Sequence, residues 1–280
     1  MTSNAEDEHA GKGGAVDETI EIVKTVVYAL LIALVLRVLL FQPFTIPSAS
    51  MEPNLFQGDY IIVSKYSYGY SRHSIPFSPK LFSGRILFHA PRRGDIVVFK
   101  LPRDGRTDYI KRLIGLPGDR IQVKQGLVYI NDKPIVRTPA PSGVEDMGYG
   151  ELRPVARYVE TVPSGRQFLT NSYGADGQAD NTGVYVVPPH CYFMMGDNRD
   201  NSADSRFDPD IPPESTNATC PWDSSLDQFV SGEGVGFVPE ENLVGRARLI
   251  LLSWKPGASL FKPWTWVLDA RPDRFAKVLR

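Results

Sequence analysis

A hydrophobic run from Ile20 to Phe41 constrains the fold of this 280-residue chain more than any other feature. Its centre, Thr25–Leu36, carries no charge, and charged residues occur only towards its two ends. A helix of this length spans about 33 Å, enough to cross a hydrocarbon core of about 30 Å. We therefore predict a transmembrane helix over 20–41, with a buried core helix as the alternative. Residues 1–19 are polar and acidic, which disfavours a cleaved signal peptide and predicts a disordered tail.

Turn residues and β-branched runs characterise the chain beyond this hydrophobic run. The sequence contains 23 prolines and 24 glycines, and such punctuation favours short strands over long helices. A Gly-Asp turn precedes β-branched residues at 58–65 and at 93–100, and a longer strand pattern covers 243–254. Short strand-like runs over 120–187 predict a smaller inserted β subdomain, and the Pro-, Ser- and Asp-rich segment 207–235 predicts a loop insert. The predicted fold class is mainly β.

Charge and composition exclude several functional classes. The net charge is −1 and the isoelectric point is about 6.4, so we expect no nucleic-acid partner. The four histidines form no metal-binding motif and two cysteines do not make a cysteine-rich zinc site, so we expect no metal or other cofactor. A calcium loop beginning at Asn198 would lack its sixth-position glycine and twelfth-position glutamate. A disulfide between Cys191 and Cys220 is compatible with a domain outside the cytoplasm, and two unpaired thiols are the alternative.

The segment from Thr45 to Leu55 places two serines in an apolar, proline-bounded turn. Pro47 and Pro53 each fix φ and remove a backbone donor, so neither fits the interior of a helix or a central strand. The hydroxyl groups of Ser48 and Ser50 are therefore available for chemistry. An ordinary serine-rich turn is the alternative interpretation.

A Lys-Arg pair lies in the middle of the strand predicted over 108–115. Alternation along a strand sends Lys111 and Arg112 to opposite faces, so one of them must face inward if the other faces water. An inward lysine is costly unless it is neutral or paired, and a solvated edge strand is the alternative. Burial that lowers the lysine pKa would make Lys111 a general base for a serine, with a hydroxyl from the polar loop 196–206 to orient it.

Five segments resemble those of the bacterial type I signal peptidases, a family of serine proteases with a Ser-Lys dyad. They occur in the family's order and cover the chain from about residue 42 to residue 254. The segments are Ile46–Pro53, Gly58–Asp59, Arg93–Val97, Tyr109–Asp119 and Gly196–Arg206.

This resemblance implies specific catalytic roles. Ser50 is expected to be the nucleophile and Lys111 the general base, with the hydroxyl of Ser202 orienting the lysine. The Ser50 N–H and the Ser48 hydroxyl are expected to form the oxyanion hole, whose donors are typically worth about 3–4 kcal/mol each.

Further residues receive non-catalytic roles from the same resemblance. Asp204 and Arg206, together with Arg112, are expected to form a cluster of structural ion pairs. The shallow apolar pockets for the substrate are expected to be lined by Ile46, Met51, Leu55, Tyr109 and Ile110.

The implied protein is a membrane-bound endopeptidase that cuts signal peptides from exported preproteins at small-x-small sites. The resemblance implies a coiled antiparallel sheet and an extracytoplasmic catalytic domain over 42–280. It also implies a bacterial cytoplasmic membrane and a cytoplasmic tail over 1–19. The chain departs from the family in having one span rather than two and in its insert at 207–235. The alternatives are another Ser-Lys protease, such as a pilin-processing or organelle inner-membrane peptidase, and a non-enzymatic membrane-anchored β module.

Overall fold

The computed structural model describes residues 6–146, 151–210, 220–223, 234–258, 262 and 264–279, with side chains from Asp17 onward. Helix α1 spans Glu6–Leu39. Its stretch Asp17–Leu39 is long and apolar enough to cross a membrane. No residue of that stretch is buried against the rest of the protein, so α1 is not a core helix.

Both ends of α1 differ from the sequence prediction. The structure describes residues 6–19 as helical where the sequence predicts a disordered tail, and residues 1–5 lie outside the described part of the chain. This stretch contains no proline, and extending an existing helix costs much less than nucleating one. The helix ends at Leu39 rather than Phe41 because Pro43 disfavours a helical residue before it, and Phe41 begins the first strand.

The strands form three antiparallel sheets within the described residues. Their bounds are β1 Phe41–Thr45, β2 Asp59–Ser64, β3 Ile96–Lys100, β4 Asp108–Gly115, β5 Arg120–Lys124, β6 Leu127–Ile130, β7 Lys133–Pro134, β8 Val136–Asp146, β9 Leu152–Thr161, β10 Gln167–Ser172, β11 Tyr185–Val186, β12 Cys191–Met195, β13 Val238–Pro239, β14 Leu243–Ser253 and β15 Lys277–Val278. A short helix, α2, covers Thr265–Leu268 near the C-terminus.

The largest sheet contains eight described strands in the order β1-β2-β14-β3-β4-β12-β13, with β15 on β14. Strand β14 pairs with β3 near its beginning and with β2 over the remainder. Its register shifts after Leu243, Ala247 and Ile250. Such bulges increase the local twist of a sheet, and here they curl it. The predicted mainly β fold with a coiled antiparallel sheet is confirmed.

Two smaller sheets lie between β4 and β12 in the sequence. One has the order β11-β5-β6-β7, and the other has the order β10-β9-β8. All seven strands fall within the predicted range 120–187. Asn171, near the end of β10, forms a β-bridge with Asn198, which follows β12. The inserted strands therefore contact the main sheet beside the polar loop that begins at Gly196.

Three clusters of buried side chains form the core. One of them packs Ile46, Met51 and Leu55 against β2 and β14, which fixes the serine turn on the main sheet. Another contains both cysteines, and the structure joins Cys191 and Cys220 in a disulfide with a Cα–Cα distance of 5.9 Å. The disulfide attaches a described part of the predicted insert to β12, whereas residues 211–219 and 224–233 of that insert lie outside the described residues.

Candidate active site

A short 3₁₀ helix, Ala49–Met51, presents Ser50 at the edge of the core. Met51 is fully buried in the cluster beneath, and its carbonyl accepts the backbone N–H groups of Asn54 and Leu55. The first N–H groups of a helix have no partner within it, which includes that of Ser50. The Ser50 side chain is therefore held by an anchored backbone, and 8 % of the residue remains exposed.

Lys111 reaches Ser50 from the neighbouring strand β4. Its Nζ lies 2.6 Å from Ser50 Oγ, and only 4 % of the residue is exposed. Within the described residues it forms no ion pair, and its contacts are with this hydroxyl and, at 5.6 Å, with the ring of Tyr109. Burial lowers the pKa of Lys111 from 10.5 to about 8, although the more distant carboxylates of Asp204 and Asp197 act in the opposite direction.

Arg112 faces the other side of β4 and has a different partner from the one predicted. Its guanidinium donates to both carboxylate oxygens of Asp197 at 2.6 and 2.7 Å and lies 4.0 Å from the ring centre of Phe168. Arg112 thus forms a buried ion pair with the polar loop, through Asp197, and no ion pair joins it to Asp204 among the described residues. Asp197 and Asp204 both belong to the polar loop 196–206. The path of this loop places Asp197 on the same side of β4 as Arg112.

Asp204 and Arg206 form another buried ion pair of this loop, with 2.9 Å between Arg206 Nε and Asp204 Oδ1. Burial favours the neutral acid, but the Arg206 guanidinium and the N–H of Gly196 hold the pKa of Asp204 below its usual range. Ser202 Oγ donates to Asp204 Oδ2 at 2.9 Å. The Ser202 hydroxyl thus bonds a carboxylate, and among the described residues it makes no hydrogen bond to Lys111, so its orienting role stays a prediction.

The polar loop also holds the serine turn through contacts that the sequence did not predict. The Asn198 backbone N–H donates to the Ser50 carbonyl at 3.1 Å, and its side-chain amide donates to the Ala49 carbonyl at 3.3 Å. That amide also donates to the buried carboxylate of Glu145 at 2.7 Å. A side chain at Gly196 would collide with Ser202 Oγ and with the Ser50 carbonyl, so the glycine permits this close approach.

A cleft of about 380 Å³ opens beside the Ser50–Lys111 pair. It is lined by Pro47–Ser50, Thr107–Lys111, Asn201 and Ala203. The hydroxyl of Ser48 lies 3.3 Å from that of Ser50 and faces the same cleft. No histidine lines it, and the described residues contain no group of three His, Cys, Asp or Glu side chains placed to hold a metal ion.

The predicted pocket residues divide into two groups. Tyr109 and Ile110 line the cleft. Ile46, Met51 and Leu55 are at most 2 % exposed, belong to the core and are not among the residues that line this cleft, so their role in a substrate pocket stays a prediction. These three side chains pack against β2 and β14 directly beneath the candidate nucleophile.

One edge of β4 is open along the cleft. Asp108–Lys111 pair with β3 on one side, whereas β12 pairs with β4 only between Arg112 and Gly115. The backbone groups on the other side of Asp108–Lys111 have no strand partner among the described elements. An extended peptide can bind such an edge through main-chain hydrogen bonds.

Comparison with known proteins identifies the family. The profile described as signal peptidase, peptidase S26, matches residues 19–254. A signal peptidase I of Rickettsia typhi is 41 % identical over 236 residues, covering 81 % of this chain and 78 % of the relative. One of Rickettsia canadensis is 40 % identical over 240 residues, with 83 % and 79 % covered.

A crystal structure of a signal peptidase I from Enterococcus faecalis V583 is also similar, with 23 % identity and a TM-score of 0.26. It aligns with 56 % of this chain and 97 % of the crystallised chain. The profile match covers well over half of the sequence, and the Rickettsia relatives match most of their own length. The chain therefore belongs to the signal peptidase family, peptidase S26.

Proposed function

We propose that this chain is a membrane-anchored serine endopeptidase that removes signal peptides from exported preproteins by a Ser-Lys mechanism. The observation that carries the proposal is the 2.6 Å contact between Lys111 Nζ and Ser50 Oγ inside a buried site. A lysine of ordinary pKa is neutral about once in 2,500 molecules at pH 7. With a pKa of about 8, roughly one in ten is neutral, and neutral Lys111 can accept the hydroxyl proton.

The reaction begins when Ser50 Oγ attacks the scissile carbonyl and Lys111 takes its proton. The Ser50 N–H and the Ser48 hydroxyl stabilise the resulting oxyanion, and protonated Lys111 then donates to the leaving amine. Water hydrolyses the acyl-enzyme, with Lys111 as the base again. Ser202 and Arg206 share the carboxylate of Asp204, and this sharing limits the negative field that would otherwise raise the Lys111 pKa.

The substrate is a peptide with small residues before the cut. Its extended backbone adds to the open edge of Asp108–Lys111, and its side chains enter the cleft between Ser48 and Ile110. Secretory signal peptides end in small residues of the Ala-x-Ala type, and the chain belongs to the signal peptidase family. This membership supports cleavage at small-x-small sites.

The membrane location also belongs to the proposal. Helix α1 anchors the chain by a single span in the bacterial cytoplasmic membrane, with residues 42–280 on the extracytoplasmic side. The apolar, unburied stretch Asp17–Leu39 supports the anchor. The Cys191–Cys220 disulfide supports the extracytoplasmic side, because disulfides persist in oxidising compartments and are rare in the cytosol.

The test is cleavage of a purified preprotein with an Ala-x-Ala site by the full chain in detergent. We expect cleavage after the second alanine by the wild type and none by Ser50→Ala or Lys111→Met. Cleavage by Lys111→Met would show that a group other than Lys111 is the general base. A wild type that is inert on several preproteins would overturn the proposed activity, though not the family.

A further inference from the structure

An open cavity of about 450 Å³ lies on the main sheet, separate from the catalytic cleft. Three arginines, Arg92, Arg246 and Arg248, contribute to its wall, together with Tyr66 and Ser67. None of these residues lines the catalytic cleft. The proposed reaction therefore leaves the cavity without a role.

Positive charge exceeds negative charge around this cavity. Asp95 is the acidic residue of its lining, and its buried carboxylate is already shared by Arg166 and Arg246. Arg92 and Arg248 form no ion pair with any described carboxylate, and Arg248 instead donates to the hydroxyls of Ser64 and Ser67 at 3.0 and 3.1 Å. Two guanidinium groups thus bind the one carboxylate, and the wall holds two further arginines with no carboxylate partner among the described residues.

The crowding of these cations affects Arg246 directly. Burial lowers the pKa of Arg246, and the nearby Arg248 and Arg166 lower it further, against the opposing effect of Asp95. Like charges held together in a partly buried wall are unfavourable unless an anion joins them. Guanidinium groups bind phosphate oxygens especially well, because their planar N–H donors match two oxygens at once.

The cavity lies next to the end of helix α1. The backbone N–H of Lys65 donates to the Leu40 carbonyl at 2.9 Å, and the Tyr70 hydroxyl donates to the Leu39 carbonyl at 2.7 Å. Tyr66, which lines the cavity, packs edge-on against Phe41 with 5.7 Å between ring centres. The segment carrying Tyr66 and Ser67 is therefore fixed to the residues that leave α1.

Exposed apolar side chains lie close in sequence to another part of the cavity lining. Ile86 and Leu87 are 54 % and 70 % exposed, and they shortly precede His89 and Ala90 in the cavity lining. Apolar exposure beside a basic cavity matches the boundary between lipid chains and headgroups. Lipid chains can lie along this wall while the headgroup phosphate reaches the arginines.

We propose that the cavity binds the phosphate of an anionic phospholipid headgroup, with Arg92 and Arg248 as its principal donors. The inference rests on the proposed anchoring of α1 in a membrane. It adds a specific lipid site to that anchor and is independent of the peptidase chemistry. A bound headgroup would fix how the catalytic domain sits on the bilayer surface.

The test is native mass spectrometry of the full chain in detergent, titrated with phosphatidylglycerol or with phosphatidylcholine. We expect one tightly bound phosphatidylglycerol and at least about tenfold weaker binding of phosphatidylcholine, whose headgroup carries a cation. Arg92→Gln should weaken phosphatidylglycerol binding about tenfold, and adding Arg248→Gln should weaken it further. The control, Arg120→Gln with Lys124→Gln, removes two exposed charges from β5 and should change nothing.

Further variants and ligands make the outcome of the lipid titration decisive. Arg92 makes no side-chain hydrogen bond within the described residues, so Arg92→Gln remains informative if the Arg248 variant fails to fold. If inorganic phosphate binds as tightly as phosphatidylglycerol, the cavity is a site for a free anion and the proposed lipid site is overturned. Equal lipid binding by wild type and the Arg92/Arg248 variant would overturn the site. Because binding is counted without cleavage and is also measured on Ser50→Ala, its failure is distinct from failure of the proposed peptidase activity.

Discussion

The two faces of strand β4 treat neighbouring cations in opposite ways. Lys111 and Arg112 are adjacent in sequence and are 4 % and 1 % exposed. Two of the three Arg112 donor nitrogens bind a carboxylate, at 2.6 and 2.7 Å, whereas Lys111 Nζ has a hydroxyl at 2.6 Å. The charge of Arg112 is compensated by a carboxylate. A protonated Lys111 has no such partner in the described part of the chain, so its charge is unfavourable.

The difference separates stability from reactivity. The pKa of Lys111 is lowered from 10.5 to about 8, which corresponds to about 3 kcal/mol of cost for holding the protonated amine. The same burial around Arg112 costs less because Asp197 compensates the charge. The unfavourable environment suits the general base that we propose, and the favourable one suits a residue that stabilises the fold.

The largest expected effect comes from removing the reactive side of the comparison. Ser50→Ala and Lys111→Met should each lower preprotein cleavage at least about 10⁴-fold, because nucleophile and base act as one unit. Lys111→Met should nevertheless raise the free energy of unfolding at pH 7 by up to about 3 kcal/mol, because methionine carries no charge to bury. Cleavage rates and unfolding midpoints check both parts, with the exposed Lys124→Met as the control. An inactive but destabilised Lys111→Met would contradict the second part.

Removing the structural side should have the opposite signature. Arg112→Met leaves the Asp197 carboxylate buried without its cation, which typically costs about 3–5 kcal/mol of stability. Adding Asp197→Asn should recover a large part of that loss, although Asn54 also donates to Asp197. Unfolding in urea measures both variants, beside Arg120→Gln, which breaks an exposed pair with Asp132. If Arg112→Met were as stable as Arg120→Gln, the two faces of β4 would not differ in this way.

The pH dependence of cleavage tests the same contrast in the wild type. In the proposed mechanism Lys111 acts when it is deprotonated, so kcat/KM should rise about tenfold per pH unit below 8 and level off above it. Stability should follow the same direction. The folded-state pKa lies below the unfolded one, so unfolding becomes harder as pH rises from about 8 to 10.5. A rate that is half-maximal near pH 6.5 would indicate a histidine instead.

Alternation along β4 explains why part of the site could be predicted from the sequence. A period of two fixes Lys111 and Arg112 on opposite faces, and the flanking prolines predict a turn at Ser50. The partner of Arg112 could not be predicted, because Asp197 and Asp204 lie seven residues apart in one polar loop. Only the folded path of that loop decides which carboxylate meets which strand face.

Long-range contacts account for the other differences. Glu145 lies on β8 of an inserted sheet, so its bond to Asn198 depends on how that sheet packs. An apolar side chain such as Ile46 suits a pocket and a core alike. Its place in a core cluster is decided by tertiary packing. The mainly β fold was predictable because turn residues and β-branched runs are local signals. The helical start at Glu6 was not, because its sequence lacks an apolar period.

The smallest expected effect concerns Ser202, and it distinguishes the contact in the structure from the one implied by the family. Its hydroxyl donates to Asp204 Oδ2, so Ser202→Ala leaves that carboxylate with one donor fewer and strengthens its field at Lys111. The Lys111 pKa should then rise by about half a unit, which lowers kcat/KM at pH 7 about threefold and leaves the rate at high pH unchanged. Ser202→Thr, which keeps the hydroxyl, should restore the profile. A pH–rate profile decides between the two roles, because a hydroxyl that orients Lys111 directly would lower the rate equally at every pH when it is removed.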